Sequence, residues 1–465
     1  MNAAPTALIM AAGQGTRMRS AVPKVMHEIC GRPMVAWPIL AAREAGAGRI
    51  CAIVSPDRDL SAALPNGTET IVQPEPDGTG GALRAAADVV RSSDTVLILS
   101  GDHPLVSAEI IGELIATHRD TDAAATVMTT EMDNPGSYGR IVRGADGEIE
   151  RIAEAKTPGD ATPEELAIKE VNAGTYAFAG ARLAEALERL TNDNAQGEYY
   201  LGDVLPMLRE SGLRVSAYRA PDLGVNLGIN DRADLARVAQ EARRRIMVGH
   251  MRAGVTIEDP GATWIDADVE IAADATILPG TTLRGGSSIG AGSTIGPMTT
   301  LVDSQVGERT LVVHSYLFGC EVANEATVGP FAYLRPDARL GEGAKAGTFV
   351  EIKNSRIGAG AKVPHLSYIG DAEVGEGSNL GATTVTANYD GRKKNRTKIG
   401  KNVHTGVDTT FVAPVQVGDE AYTGAGSVIT EDVPPGALGI SRAEQKNVEG
   451  YAAKKAKESS EGEDS

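Results

Sequence analysis

The sequence predicts a Rossmann-like α/β domain followed by a left-handed parallel β-helix of hexapeptide repeats, and three observations carry that reading. Ile265, Ile271, Ile277, Leu283, Ile289, Ile295 and Leu301 fall on every sixth residue. Val322, Val328, Leu334 and Leu340 resume the beat, and Ile399, Phe411 and Val417 carry it towards the end. A helix repeats every ~3.6 residues and a strand every second one, so neither gives a beat of six. A coil of three short strands does, because each flat face sends one aliphatic residue into a shared axis. The first half instead alternates short apolar runs with helical patterns, as a sheet covered on both faces requires. A chain of 465 residues also exceeds what one core usually holds.

In the first half, Ala7 to Met10, Ile50 to Val54 and Val96 to Leu99 read as buried strands of a mainly parallel sheet. Pro33 to Ala45 and Gly80 to Val90 read as helices between them. Ligands of such a sheet sit at the carboxyl ends of its strands. From Asn230 to about Gly249, Leu235, Val238, Ala239, Ala242 and Ile246 form one helical stripe. Asn230 or Asp231 can cap its start and Gly249 its end. The six-residue beat begins soon after. It loses register near Asp303 to Glu321 and again between Asn388 and Lys398, a polar, basic stretch expected to loop out. After Val448 the chain turns charged and Ser-rich, the composition of a disordered tail. The expected division is an α/β domain over 1–229, a linker helix over 230–250, a β-helix over 251–448 and an acidic tail over 449–465.

A net charge of −17 argues against a general nucleic-acid binder, which wants a basic face. Any anionic substrate must therefore be met by locally placed Lys and Arg. Cys30, Cys51 and Cys320 show no paired or metal-ligand spacing, which suits a reducing cytoplasm. No run approaches the ~18 apolar residues of a membrane span, and no cleavable-signal pattern opens the chain, so no membrane partner is expected.

The strand Ala7 to Met10 runs into Ala11-Ala12-Gly13-Gln14-Gly15-Thr16-Arg17-Met18, and Pro23-Lys24 follows. A glycine loop after a buried strand offers backbone N–H groups to phosphate oxygens. Arg17 and Lys24 add positive charge where a triphosphate would lie. Glycines alone often mark only a turn; the Arg and the Pro-Lys make the string specific. The strand ending in Leu99-Ser100-Gly101-Asp102 puts a carboxylate where it can hold Mg²⁺ between phosphates. The bland alternative for that Asp is a turn residue. The full string resembles the nucleotide-binding signature of the sugar-1-phosphate nucleotidylyltransferases. That resemblance implies a UTP site lined by Met10, Ala11, Ala12, Gly13, Ser100 and Gly101, with Asp102 on the metal and an Asn late in the domain assisting it. Asn230 is the best match for that Asn, and Asn226 is a nearby competitor.

Closer matches are Gln73 with Gly78-Thr79-Gly80, Tyr138-Gly139-Arg140-Ile141, Glu154 with Lys156, Val171-Asn172-Ala173-Gly174 and Asn194-Ala195-Gln196-Gly197-Glu198-Tyr199-Tyr200-Leu201. These resemble the bifunctional UDP-N-acetylglucosamine pyrophosphorylase / glucosamine-1-phosphate N-acetyltransferases. The resemblance implies that Gln73, Gly78 and Thr79 face the uracil and that Gly139, Glu154 and Asn172 hold the sugar. Two departures stand out: Pro76-Asp77, where the family usually has a neutral or apolar pair, and Gly81 in place of a frequent His. The implied reaction is in-line attack of a sugar phosphate on the α-phosphorus of UTP, with Mg²⁺, Arg17 and Lys24 neutralising charge.

In the second half His365 stands out, in Val363-Pro364-His365-Leu366-Ser367-Tyr368. Acetyl transfer to an amine needs a group that takes a proton near neutral pH, which a histidine can be; the bland reading is a surface histidine. Glu351 and Asn388 read as one coil before and one coil after it, so Glu351 would orient His365 and Asn388 would face oxyanion charge. The stretches Gly329-Pro330-Phe331 through Pro336, Phe349 to Lys353, Pro364 to Gly370, Asn379, and Asn388 to Gly391 resemble the acetyltransferase half of the same family. That implies His365 as general base. It implies Arg335, Lys353, Tyr368 and Asn379 around the amino-sugar phosphate, and Ala382, Asn388, Tyr389, Val407, Ala425 and Arg442 around acetyl-CoA. Taken singly, Arg335 and Lys353 could equally be solvated cations. Val407 stands where Ser is usual, and Thr383 where a small Gly or Ser is usual.

The resemblance covers roughly residues 6 to 450. It implies a bifunctional enzyme that acetylates glucosamine-1-phosphate, then transfers UMP from UTP to N-acetylglucosamine-1-phosphate. The product, UDP-N-acetylglucosamine, is a precursor of peptidoglycan and lipopolysaccharide. The resemblance also implies a homotrimer. One alternative is a single-activity sugar nucleotidylyltransferase with a structural solenoid, against which His365 with Asn388-Tyr389 speaks. Another is an exchange-factor subunit of translation initiation; those tend to lose the loop Arg and the metal Asp, kept here as Arg17 and Asp102.

Overall fold

The computed structural model describes residues 3–155, 161–193 and 197–462. The chain divides into two compact units, Met1–Ile246 and Met247–Ser465.

In the first unit the strands are β1 Thr6–Met10, β2 Arg49–Val54, β3 Glu69–Val72, β4 Thr95–Ser100, β5 Ala125–Glu131, β6 Arg140–Arg143, β7 Ile149–Ala153, β8 Glu170–Ala179 and β9 Val215–Arg219. They form one sheet of order β9-β5-β8-β4-β1-β2-β3, with the β6–β7 hairpin attached to β8. β8 runs antiparallel to β4 and β5, while β1 is parallel to β2 and β4. Side chains of β1 alternate between two cores: Leu8 packs with Ile53, Ile98 and Phe178, whereas Ala7 and Ile9 pack with Ile39, Leu97 and Ile111. With both faces covered, the carboxyl edge is left for ligands. At that edge Ala11 N donates to Ile53 O at 2.9 Å and Gly101 N to Met10 O at 3.0 Å.

The helix expected from Pro33 begins later, as α1 Ala36–Glu44. Arg32–Pro33 instead pairs with Glu28–Ile29 around Cys30 (φ 49°) and Gly31 (φ 75°), two left-handed residues of the kind a tight hairpin favours. The next helix splits at Ala86 into α2 Thr79–Ala85 and α3 Ala87–Arg91. The linker helix, α4 Arg232–Arg252, is capped by Asp231, whose Oδ1 accepts Ala233 N at 2.8 Å and Asp234 N at 2.9 Å. Gly249 does not end it. The helix runs through this glycine at modest cost, and Gly254 (φ 97°) turns the chain instead.

In the second unit, short parallel strands stack into three sheets of seven, ten and nine strands among the described residues. The ten-stranded sheet stacks Ile265, Leu283, Leu301, Leu317, Leu334, Ile352 and Ile369 in register, then Phe411 and Ile429, all buried. The expected loss of register near Asp303 to Glu321 is not a break. Val306, Val312 and Leu317 stay inward and buried. The coil is only shorter: Leu301 reaches its partner Leu317 sooner along the chain than Leu283 reaches Leu301. The stretch after Asn388 does loop out, since Thr386 pairs with Phe411, a step longer than any in the coils before it. Asp390 closes that loop by accepting Arg392 N at 2.9 Å and Lys393 N at 2.8 Å. In place of the expected disorder, Tyr451–Gly462 forms a helix, exposed over 451–459. Its Ala, Lys and Glu residues are good helix formers, and Lys455 pairs with Glu458 at 3.0 Å.

Phe411 is the largest side chain fully buried in the solenoid. Phe411→Ala is therefore expected to cost about 3–5 kcal/mol, read as a lower denaturant midpoint for the β-helix unit. An unchanged midpoint would mean that the ring is not part of the stack.

Candidate functional sites

In the first unit the glycine loop and the β4 turn meet at the carboxyl edge. A side chain at Gly101 would sit 2.8 Å from Met10 O, and one at Gly15 (φ 61°) would sit 2.5 Å from Lys24 Cβ. Both glycines are thus required by close approach, and the second brings Lys24 to the loop. Lys24 Nζ donates to Asp102 Oδ2 at 2.5 Å. The other oxygen, Oδ1, is sealed with no hydrogen-bond partner and lies 3.8 Å from His103 Nε2. Burial works to raise the Asp102 carboxyl, but His103 and Lys24 outweigh it and hold the group below its ordinary value. Arg17 Nη2 donates to Asn230 Oδ1 at 2.8 Å, and Ile229 N donates to Asp102 O at 3.1 Å. Asn230 therefore belongs to this cluster. Asn226 is fully buried: its side-chain nitrogen donates to Thr130 Oγ1, and its backbone carbonyl accepts the Tyr138 hydroxyl. Among the described residues, no cluster of three or more His, Cys, Asp or Glu could hold a metal.

Gln73 is buried and donates both amide hydrogens, to Asp77 Oδ1 at 2.8 Å and Gly78 O at 3.2 Å. A side chain at Gly81 would begin 1.9 Å from the same Asp77 carboxylate. The two departures from the family pattern are therefore one coupled change: the Asp77 carboxylate fills the space that a residue at 81 would need. Thr79 Oγ1 accepts Leu201 N at 3.1 Å, tying this loop to the 201 segment. Asn172 N donates to Gly139 O at 2.9 Å, and its side chain donates to the Tyr176 hydroxyl at 2.7 Å. Burial, then the charge of Glu154, pushes the Asp203 carboxyl up, and burial likewise raises Tyr176 with help from Glu154. Gly139, Glu154 and Asn172 thus come together with Tyr176 and Asp203, which the motifs did not flag. Lys156 and the Asn194-Ala195-Gln196 part of the last motif lie outside the described residues.

In the second unit, residues one full coil apart stack, and this decides the neighbours. Glu351 and His365 are separated by less than a full coil and do not stack. Glu351 pairs with Tyr368, and His365 with Thr348. The Glu351 carboxylate takes Arg335 Nη1 at 2.9 Å, so it holds Arg335 and does not orient His365. His365 is exposed at the end of the last strand of the seven-stranded sheet. Asn388 is buried, and its amide nitrogen is committed to Asp371 at 2.5 Å; it is not a free oxyanion donor. Lys353 lies beside Lys394, and its contact and like charge hold the Lys394 ammonium below its ordinary value. Lys394, in the loop that departs from the beat, is a cation the motif reading missed. Lys353 and Tyr368 lie in the ten-stranded sheet and Arg335 directly follows one of its strands, but exposed Asn379 bridges Lys362 and His404, in line with the seven-stranded sheet.

Ala382, Val407 and Ala425 occupy one corner on successive coils: Asp408 N donates to Ala382 O at 2.8 Å and Gly426 N to Val407 O at 2.9 Å. Arg442 Nη1 caps this column on Ala425 O at 3.0 Å. Thr383 turns its hydroxyl back onto Ala382 O at 2.6 Å, Val407 presents bare methyls at 53% exposure, and Tyr389 is exposed.

A MobA-like NTP transferase domain model matches residues 7–205, and a hexapeptide repeat of succinyl-transferase model matches residues 396–431. Two curated relatives named bifunctional protein GlmU, from Mycobacterium bovis and Mycobacterium tuberculosis, are each 46% identical over 458 residues, covering 96% of this chain and 92% of theirs. A third, from a Mycobacterium sp., is 46% identical and covers 96% of this chain and 91% of its own. A nucleotidyltransferase sheet and a hexapeptide-repeat solenoid in one chain, matched by these relatives nearly end to end, show that the chain belongs to the bifunctional GlmU family.

Proposed function

We propose that the β-helix unit moves an acetyl group from acetyl-CoA to the amine of glucosamine-1-phosphate, and that the N-terminal unit joins the product to UMP from UTP. The observation that carries this is a pair of phosphate-ready cation sets. Arg17 and Lys24 stand beside Asp102 in one unit, and Lys353 and Lys394 beside Tyr368 in the other.

In the N-terminal unit, glycine-loop N–H groups and Arg17 would take the triphosphate, and Lys24 would pass from Asp102 to a phosphate oxygen as the nucleotide enters. The sealed, unpaired Asp102 Oδ1 suits a hard cation. Asp102 and Asn230 would hold Mg²⁺, with phosphates and water completing its ligands. When bound, that ion neutralises charge on the transferring phosphoryl group. Gly139, Glu154 and Asn172 orient the sugar phosphate for in-line attack.

In the β-helix unit, Arg335, Lys353 and Lys394 would bind the sugar phosphate. His365 takes a proton as the amine nitrogen attacks the thioester carbonyl; a C–N bond forms, the C–S bond breaks, and His365 returns the proton to the departing sulfur, so coenzyme A leaves as the thiol. The Ala382–Val407–Ala425 corner offers an apolar wall to the pantetheine arm. Asn379 lies on a different sheet from Tyr368, so one chain alone divides the expected binding set. A homotrimer would reunite it. A column of exposed apolar corner residues supports such an assembly: Met298 (67%), Phe331, Phe349 (58%) and Leu366, with the Phe331 and Phe349 rings stacked at 5.3 Å. The three free, buried cysteines fit a cytoplasmic setting.

Purified protein given glucosamine-1-phosphate, acetyl-CoA, UTP and Mg²⁺ should release both free thiol and pyrophosphate; release of neither would overturn the reading. His365→Ala should lower acetyl transfer by about a hundredfold or more and spare pyrophosphate release, while Asp102→Ala should do the reverse. Equal loss of both activities in a folded variant counts against the assignment. Lys24→Met leaves a half-buried carboxylate without its cation and should destabilise the N-terminal unit by about 1–3 kcal/mol at pH 7. Because Asp102 titrates below its unfolded value of ~3.9, the pair contributes above that pH and is lost as pH falls through the folded value. The gap between wild type and variant, followed by urea unfolding, should therefore narrow below about pH 4.

A further inference from the structure

At the corner that follows the ten-stranded sheet, Asn354, Asp371 and Asn388 stack one per coil. Asp371 is 5% exposed and left-handed at φ 51°. Its Oδ1 accepts Asn354 Nδ2 and its Oδ2 accepts Asn388 Nδ2, each at 2.5 Å. An ionised carboxylate only accepts, so both amides must turn their nitrogens towards it. The Lys394 ammonium lies near enough to feel the Asp371 carboxylate.

For Asn388 this decides the other end of the amide. Its nitrogen is spent on Asp371, with a longer 3.4 Å approach to the Tyr368 hydroxyl. Its Oδ1 then projects the opposite way. Among the described residues no donor takes that oxygen, and it is not one of the sealed, unpaired atoms. The backbone carbonyl of Asn388 meanwhile accepts Asn395 N at 2.7 Å, which seats the loop carrying Lys394.

We propose that Asp371 is a positioning residue for acetyl transfer: by holding the amide nitrogen of Asn388, it presents Asn388 Oδ1 to the site as an acceptor for an N–H of the attacking amine. An acceptor there aims the nitrogen lone pair at the thioester and leaves His365 to take the proton. This role rests on the acetyl-transfer reading above.

Three variants test it, with pyrophosphate release by the same chain as the measure of folding. Asp371→Ala should lower kcat for acetyl transfer about tenfold or more, with the KM for glucosamine-1-phosphate changed less than about threefold. Asn354→Ala breaks the other half of the ladder and leaves the Asn388 pairing intact. It should lose comparable thermal stability yet keep kcat within about twofold. Asp371→Asn retains an oxygen for Asn388, because Asn354 can turn its own amide to take the new NH₂, and should recover most of kcat. Equal loss of kcat in Asn354→Ala and Asp371→Ala would make the ladder merely structural. A fully active Asp371→Ala in an enzyme that does acetylate its substrate would sink the positioning role alone. Absence of acetyl transfer in the wild-type chain would sink the functional reading and this role with it.

Discussion

Each coil of the β-helix must change direction three times before the chain returns to stack on itself, as Leu283 does on Leu301 and Leu301 on Leu317. Much of the second unit follows from that constraint. The inward positions stack aliphatic side chains, so the corners must be made from whatever is left. One corner column uses Gly285, Asp303, Gly319, Asp337, Asn354 and Asp371, all at positive φ. These residue types enter the left-handed region cheaply, because Gly lacks a Cβ and Asp and Asn bond locally. Another column uses Met298, His314, Phe331, Phe349, Leu366 and Thr383. Bulky residues there cost roughly 1–2 kcal/mol each, so strain concentrates on the corner that adjoins His365 and carries the exposed apolar column. Strain of that kind gathers at functional places.

The first unit meets a different constraint with the same economy. Parallel strands covered on both faces leave only their carboxyl ends open. There, adjacent strands β1 and β4 must let two turns pass almost in contact. Gly101 against Met10 O and Gly15 against Lys24 Cβ are the places where a side chain would hold them apart. Once the turns are close, Lys24 reaches Asp102, and Ile229 N on Asp102 O brings Asn230 to Arg17.

The architecture was legible in the sequence because its signals are periodic. The beat survives in Val306, Val312 and Leu317, where shorter coils hide it from a strict count of six. The candidate site was legible only in part, because it depends on which residues stack. Glu351 and His365 look one coil apart when a coil is imagined loosely, but the chain between them stops short of a full turn, and it is Tyr368 that completes it over Glu351. No spacing rule distinguishes Asn226 from Asn230 either; burial does, since one amide is consumed by Thr130 and the other meets Arg17. Lys394 was hidden inside a loop that reads as an interruption, and its relevance rests on meeting Lys353 in space.

The two units share one further device. A primary amide can face a ligand with either end, and nothing in its own chemistry chooses. In the first unit Asp77 takes the Gln73 nitrogen, and Gly81 makes room for that carboxylate. In the second, Asp371 takes the Asn388 nitrogen. In each case an acceptor-only neighbour leaves the amide with its oxygen to offer. A carboxamide set in this way discriminates as sharply as a charged group, because turning it over would set a carbonyl oxygen against a carboxylate and leave buried polar atoms unpaired, at a cost of about 1–3 kcal/mol per atom. Under the function proposed above, the carboxylates behind the amides would take part in recognition along with the amides themselves.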